Sequence, residues 1–291
     1  IRDRVGARQG TGCDEAVVTS THSGYPVLDG VSQCLAGVHA LFAYRDFQLR
    51  EIVAPRPADR ATVDAWQSKL AGGGTLNEAT SLKLLSDFGV TSSTTMKANS
   101  AKTLVDAAEK TGYPVALKTA REGLLHKSDH GGVILGIADA EQLHQMYEIM
   151  SNRLGEEVLV SAMAPAGVEM ILGINRDPQF GPVVLIGFGG VLAETINDVQ
   201  FALPPFDAAH ARRCVDRLEL RPLLDGVRGE PPADIDAFCE LAARFSEMAV
   251  ALGDVLAEVD VNPLIVHADG AIAVDGLVVG RDRREAERAE A

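Results

Sequence analysis

What the chain lacks sets the first bounds. No window approaches the ~18 uninterrupted apolar residues of a membrane helix. No basic start followed by an apolar core reads as a secretory signal. Positive charge is scarce: 27 Lys and Arg stand against 41 Asp and Glu, a net charge of −14. A field of that sign repels nucleic acid, so nucleic-acid partners are disfavoured. A nucleotide site would need its own local cations. Cys13, Cys34, Cys214 and Cys239 form no Cys-x-x-Cys pair. That spacing argues against structural zinc and for reduced, buried thiols of a cytoplasmic protein. No internal repeat or low-complexity tract is present. The chain is 46% hydrophobic and 23% charged, a globular composition rather than a disordered one. Its 291 residues suffice for roughly two domains. The first residue is Ile1, not Met, as in a fragment or processed product.

Residues 1–50 hold a β-type run, Ala16-Val17-Val18-Thr19, a turn at Ser23-Gly24-Tyr25-Pro26-Val27, and a helical pattern of Val31, Leu35, Val38, Leu41 and Phe42. That is too little for a free-standing α/β domain and reads as the tail of one. Residues 51–75 read as a linker around a short helix near Trp66, ending in Gly72-Gly73-Gly74. A second unit begins near Thr75. Asn77 is placed to cap a helix with Ala79, Leu82, Leu85 and Phe88 on its apolar face, closed by Gly89. Further helices are expected at 100–110, 141–154, 207–217 and 234–252. Strands are expected at 115–119, 158–163, 169–174, 183–186, 255–261 and 271–278. The alternation indicates α/β or α+β, not a bundle or sandwich. Residues 281–291 read as a solvated, charged tail.

Four segments could carry chemistry. In Glu258-Val259-Asp260-Val261-Asn262-Pro263, strand alternation puts Glu258, Asp260 and Asn262 on one face. Asp269-Gly270 signals a hairpin, which would bring Asn262 opposite residues 275–277 and so close to Asp275. Hard oxygen ligands arranged so suit Mg²⁺, although the same pattern fits the outer face of an edge hairpin. Lys118 ends an apolar strand, where it could meet a phosphate as a point charge or snorkel from a sheet edge. The loop Leu125-His126-Lys127-Ser128-Asp129-His130-Gly131-Gly132 combines an imidazole with a glycine pair. A neutral imidazole can carry a phosphoryl group, whereas a lone loop histidine is more often solvated and inert, as His130 is taken to be. Gly187-Phe188-Gly189-Gly190-Val191, followed by Glu194, is a glycine turn able to approach phosphate. It has neither P-loop nor dinucleotide-fingerprint spacing. Glu169 opens a strand and could meet a ribose or metal or simply solvent.

The order of these signals resembles an ATP-grasp domain, in particular that of the NDP-forming acyl-CoA synthetases, relatives of succinyl-CoA synthetase. The resemblance runs from Leu76 to Val279. It includes Leu-His-Lys-Ser-Asp at 125–129, Asp-Pro-Gln-Phe-Gly at 177–181, Gly-Phe-Gly-Gly-Val-Leu-Ala-Glu at 187–194, Gly-Val-Arg-Gly-Glu-Pro-Pro-Ala-Asp at 226–234 and Asp-Val-Asn-Pro-Leu at 260–264. Residues 14–47 more loosely resemble the end of that family's second flavodoxin-like CoA-ligase domain. The resemblance implies an ATP-grasp fold of two subdomains (76–157 and 158–280) preceded by a flavodoxin-like remnant. It implies the reaction acid + CoA + ATP ⇌ acyl-CoA + ADP + phosphate, passing through an acyl phosphate and phosphohistidine. Carried over, His126 is the phosphoryl carrier of this part, with Glu194 near its path. Lys118 and Arg228 contact phosphate, and Gly189 and Gly190 line the phosphoryl path. Val160, Ser161, Ala162 and Met163 form the adenine side, with Glu169 among the ATP contacts. Asn262, Asp275 and Asp260 hold Mg²⁺. Ser161 departs from the Gln or other larger residue many relatives carry there.

The family's other phosphohistidine and its CoA-binding domain have no counterpart in the chain. It is therefore expected to bind ATP and Mg²⁺ but to need upstream CoA-ligase domains, or a partner chain carrying them, for thioester synthesis with CoA and a small carboxylic acid. A homo- or hetero-oligomer of the cytoplasm follows from the same resemblance. Two other readings stay open: a non-catalytic ATP-grasp module linked to an acyltransferase, and an ATP-grasp ligase joining a carboxylate to an amine.

Overall fold

The computed structural model describes residues 15–25, 27, 31–49, 56–121, 127, 130–190, 196, 198–227 and 229–282. The chain divides into a unit of residues 1–54 and a unit of residues 55–291. The first holds α1 (Glu15–His22) and α2 (Val31–Gln48). Ala16–Thr19, expected as a β-type run, lies inside α1. Strand preference reflects fit to a neighbouring strand, and among the described residues this unit offers none. Among the described residues, the expected flavodoxin-like remnant therefore shows helices only. The Val31 pattern does form α2, but Leu35, Leu41 and Phe42 are exposed and none of its residues is buried.

In the second unit, residues 60–75 are folded into the body. Asp59 caps α3 (Arg60–Leu70), whose Trp66 and Leu70 enter the larger core. The glycine run forms β1 (Gly72–Thr75), hydrogen-bonded to the last strand of the chain. Asn77 caps α4 (Glu78–Asp87) by accepting from the Thr80 amide (3.0 Å), and Gly89 closes it at φ +82°.

The chain then builds a four-stranded antiparallel sheet from β2 (Thr95–Ala98), β3 (Val115–Thr119), β4 (Val133–Ile137) and β5 (Val158–Ala162), in the order β2-β5-β3-β4. Helices α5 (Ala101–Thr111) and α6 (Ala140–Leu154) cover one face. Val115, Leu117, Val158 and Val160 pack there. By alternation, Ala116, Lys118, Leu159 and Ser161 line the opposite face.

The larger sheet contains β6 (Val168–Asp177), β7 (Gly181–Phe188), β8 (Val199–Ala202), β9 (Leu256–His267), β10 (Gly270–Ala273) and β11 (Leu277–Asp282). Its order is β1-β11-β9-β6-β7-β8, with β10 also paired to β9. Helices α7 (Ala208–Val215) and α8 (Ile235–Ala251) bury their apolar faces in its core. Residues 91–94 bridge the two sheets: the Ser93 amide donates to Ala273 O (2.8 Å) and the Ala162 amide to Thr94 O (2.9 Å). The architecture is thus α+β, two helix-backed antiparallel sheets. No described helix is long and apolar enough to cross a membrane.

Candidate functional site

The site forms where the face of β3 opposite its helices meets the end of the larger sheet. Strand β9 spans 12 residues and is flanked on one side by two short strands in turn. Asp260 pairs with Leu277 of β11, and Leu264 with Ala273 of β10. Between them the ladder is interrupted at residues 274–276, and the same register puts Asn262 opposite Asp275. Val274 N donates to Pro263 O (3.2 Å) across this gap. On the other side of β9 the register shifts: Met170 pairs with Leu264 but Leu172 with Val261. The extra residue on β9 is a bulge. It re-aims side chains, so Val259 and Val261 enter the core before it and Leu264 and Val266 after it. Alternation therefore holds through Glu258, Asp260 and Asn262 and then changes phase.

The glycine turn packs on this bulge. The Gly189 amide donates to Glu169 O (2.8 Å) and the Gly190 amide to Asn262 Oδ1 (3.0 Å). A Cβ on Gly189 would sit 2.6 Å from Met170 O and 3.0 Å from Asn262 Oδ1. Gly190 has φ +60°, and a Cβ there would meet Glu169 Oε2 at 1.7 Å. Glu169, Gly189, Gly190 and Asn262 thus share one corner.

Lys118 comes from the smaller sheet. It pairs with Val133 of β4 and Leu159 of β5, so β3 is interior and the snorkelling edge-lysine reading fails. Its buried Nζ donates to Glu78 Oε1 (2.6 Å) and to Val274 O (2.7 Å), and lies 3.9 Å from Asp275 Oδ2. Lys127 Nζ reaches the other oxygen of Glu78 (2.5 Å). Burial works against the Lys127 charge, but Glu78 and Asp275 outweigh it and hold its pKa above the ordinary lysine range. Burial raises the Asp275 carboxyl, with Glu78 adding to the rise and Lys118 and Lys127 opposing it. Asp260 is pushed up to about 6, by burial first and then by Glu258 and Asp275.

Of the sequence-derived candidates, Lys118, Asp275, Asn262, Asp260, Glu169, Gly189 and Gly190 fall along this one region. Ser161 shares the Lys118 face, buried, with its Oγ 2.9 Å from Thr95 Oγ1. Val160 points instead into the helix-backed core. The backbone of residues 160–162 is engaged by β2 and β3 on either side. Met163 lies just beyond β5, where its Sδ is 3.4 Å from the Gly136 amide. His126, Glu194 and Arg228 lie outside the described residues. Sequence reasoning assigned no role to Glu78 or Lys127. One signal was available: Glu78, Leu82 and Leu85 fall at i, i+4 and i+7, so an acid stands on the apolar stripe of α4.

Residues 67–279 match the family of ATP-grasp domains. Over 192 residues the chain is 36% identical to the β subunit of acetate–CoA ligase (ADP-forming) II of Pyrococcus furiosus, covering 62% of this chain and 81% of that subunit. The chain belongs to the ATP-grasp family, and β subunits of ADP-forming acetate–CoA ligases are among its relatives. A further relative is acetate–CoA ligase (ADP-forming) I of Archaeoglobus fulgidus, 38% identical over 221 residues. That alignment covers 73% of this chain and 32% of the relative, so the chain spans about a third of that protein's length. Among solved structures, the dinucleotide-forming acetyl-coenzyme A synthetase 1 of Ca. Korarchaeum cryptofilum, in complex with coenzyme A, Ca-AMPCP and HgCl+, superposes with a TM-score of 0.69 at 32% identity. The match covers 75% of this chain and 98% of that one. The same enzyme with coenzyme A and Mg-AMPPCP, its phosphohistidine segment pointing towards the nucleotide binding site, gives a TM-score of 0.67.

Proposed function

We propose that this chain is the nucleotide-binding and phosphoryl-transfer part of an ADP-forming acyl-CoA synthetase. The observation that carries the reading is the convergence of Lys118, Asp275 and Asn262 from two different sheets. In this reading Lys118 contacts the ATP phosphates as a fixed point charge. Gly189 and Gly190 let the phosphoryl group approach the backbone beside Glu169, and Glu194, four residues on in sequence, acts near that path. Residues 160–163 flank the adenine, Met163 offering the first backbone groups beyond the paired strand. Arg228 is a further phosphate contact.

The donor set suits Mg²⁺. Burial and the neighbouring Glu258 and Asp275 carboxylates leave Asp260 short of compensating charge, and a cation supplies it. Asn262 adds a neutral oxygen already oriented by the Gly190 amide. Among the described residues no cluster of three or more His, Cys, Asp or Glu is arranged to hold a metal alone. Two carboxylates and one amide oxygen suit Mg²⁺, whose shell phosphate oxygens and water complete. Bound there, the ion would offset phosphate charge; positioning is left to the chain's own lysines and amides.

His126 carries the phosphoryl group between the nucleotide and the rest of the enzyme. The Pyrococcus relatives are β subunits, and the CoA and acid sites lie in CoA-ligase domains on the same polypeptide or on a partner chain. Residues 1–50 belong to that upstream part, and α3 and β1 join residues 76–282 in the ATP-grasp body. Coenzyme A and a small carboxylic acid are the other substrates, in a cytoplasmic oligomer. The test is incubation with γ-labelled ATP and Mg²⁺. An acid-labile, base-stable phosphoprotein is expected, and H126A abolishes it. Label persisting in H126A refutes the role given to His126.

A further inference from the structure

The carboxylate of Glu78 is among the most enclosed charges in the chain, and the reading above gives it no task. Its side chain is 3% exposed, against 7% for Lys118 and 23% for Lys127. One oxygen accepts from Lys118 Nζ and the other from Lys127 Nζ. One buried acid therefore ties a strand lysine to a lysine from the β3–β4 connection. We propose that Glu78 yokes Lys118 and Lys127 into a single phosphate-binding pair, with Lys127 as a second cation for the nucleotide polyphosphate. This deepens the nucleotide-binding reading and rests on it.

Three observations carry the inference. The backbone of Lys127 is fixed next to Lys118. Gly132 N donates to Lys127 O (2.8 Å), and Thr119 N, one residue after Lys118, donates to Gly132 O (2.8 Å). A Cβ at Gly132 would lie 2.8 Å from Thr119 Cγ2 and 2.9 Å from Lys127 O, so the turn closes only with glycine there.

The second observation is the charge count. Glu78 and Asp275 balance Lys118 and Lys127 among themselves. Once Asp275 is engaged by a cation, two ammonium groups face one carboxylate. The cluster then carries the excess positive charge a polyphosphate needs, in a chain whose overall field is negative.

The third is valence and reach. A lysine ammonium has three donors, and Glu78 takes one from Lys127. Lys127 is also the more open of the two lysines, so its head can meet a ligand without leaving Glu78.

The experiment measures, by calorimetry on the full chain, binding of a non-hydrolysable ATP analogue with Mg²⁺ and, separately, of adenosine. K127M is expected to weaken the analogue about tenfold or more, as expected for one charge-assisted phosphate contact. It leaves adenosine unchanged, and K127R restores most of the loss. In an E78Q background, K127M has much less effect, because the unyoked lysine no longer faces the phosphates. Equal binding of the analogue by K127M and wild type overturns the proposal. So does equal weakening of analogue and adenosine, the mark of a merely structural lysine, or full additivity of K127M and E78Q. Wild type failing to bind the analogue would instead sink the nucleotide reading itself.

Should a variant not fold, footprinting of the wild-type chain decides. The Mg²⁺-bound analogue must protect Lys127 from acetic-anhydride acetylation, read by mass spectrometry, and adenosine must not. Unchanged labelling of Lys127 overturns the inference.

Discussion

At the scale of single residues the site is built from exclusions. Gly190 is required twice over, by its left-handed φ of +60° and by Glu169 Oε2 where a Cβ would stand. G190A should therefore cost about 1–3 kcal/mol through backbone strain and displacement of Glu169. The expected readings are a thermal midpoint lower by several degrees and weaker binding of the Mg²⁺–ATP analogue. A variant with unchanged midpoint and affinity would contradict the packing described.

Asp260 makes a pH prediction. Its folded pKa of about 6 stands above the ordinary 3.8, so the folded chain holds this proton more tightly than the unfolded one. Without metal, stability should be greatest below the ordinary value and fall as pH rises towards 6, by at most on the order of 3 kcal/mol. D260N should remove that part of the slope. Denaturant melts with EDTA from pH 4 to 7 would test it, and parallel slopes for wild type and D260N would count against the burial of this carboxyl.

Among elements, α4 places the buried acid and β9 places the amide. Asn77 holds the first turn of α4 through the Thr80 amide, and Glu78 is the next residue. N77A should cost about 1 kcal/mol in stability. Because the cap also sets where Glu78 enters the core, N77A should reduce analogue affinity modestly, whereas caps of remote helices should leave it unchanged. Equal affinity effects from Asp139→Ala, the cap of α6, would show that no special coupling exists.

Several elements were legible from spacing. Asn77 as cap, Gly89 as stop, the α6 pattern and the strand bearing Lys118 all follow from local chemistry. The bulge on β9 was not legible, since two residues against one on β6 is a property of the pairing. Nor was β1, because Gly72-Gly73-Gly74 has no strand preference and pairs only because β11 lies beside it. Ala16–Thr19 failed in the opposite direction, its β-branched residues lying in a helix.

For the whole molecule, the two hydrophobic cores of the second unit draw, among the described residues, on residues 58–278. A chain truncated to 55–291 should accordingly unfold within a few degrees of the full chain and bind the Mg²⁺–ATP analogue equally well. A large drop in either would assign residues 1–54 a part in that body. Reaction with a thiol reagent at pH 8 offers a second check. Burial pushes the Cys239 thiol up to about 12, so it should react only on unfolding.

The sequence by itself determined the class of fold, most helix ends and the order of the chemical groups, because caps, turns and periodicity act over a few residues. Its motif strings, by residue order alone, likewise resemble an ATP-grasp chain. The hairpin signal at Asp269-Gly270 already set Asn262 opposite Asp275; tertiary structure alone decided that Lys118 is interior and that the ladder beside β9 is interrupted at residues 274–276. It also decided that Glu78 and Lys127 belong with them. Contacts such as Lys118 with Val274, 156 positions apart, depend on how two sheets are brought together. No local preference encodes that: a buried charge acquires its meaning only from the partners that enclose it.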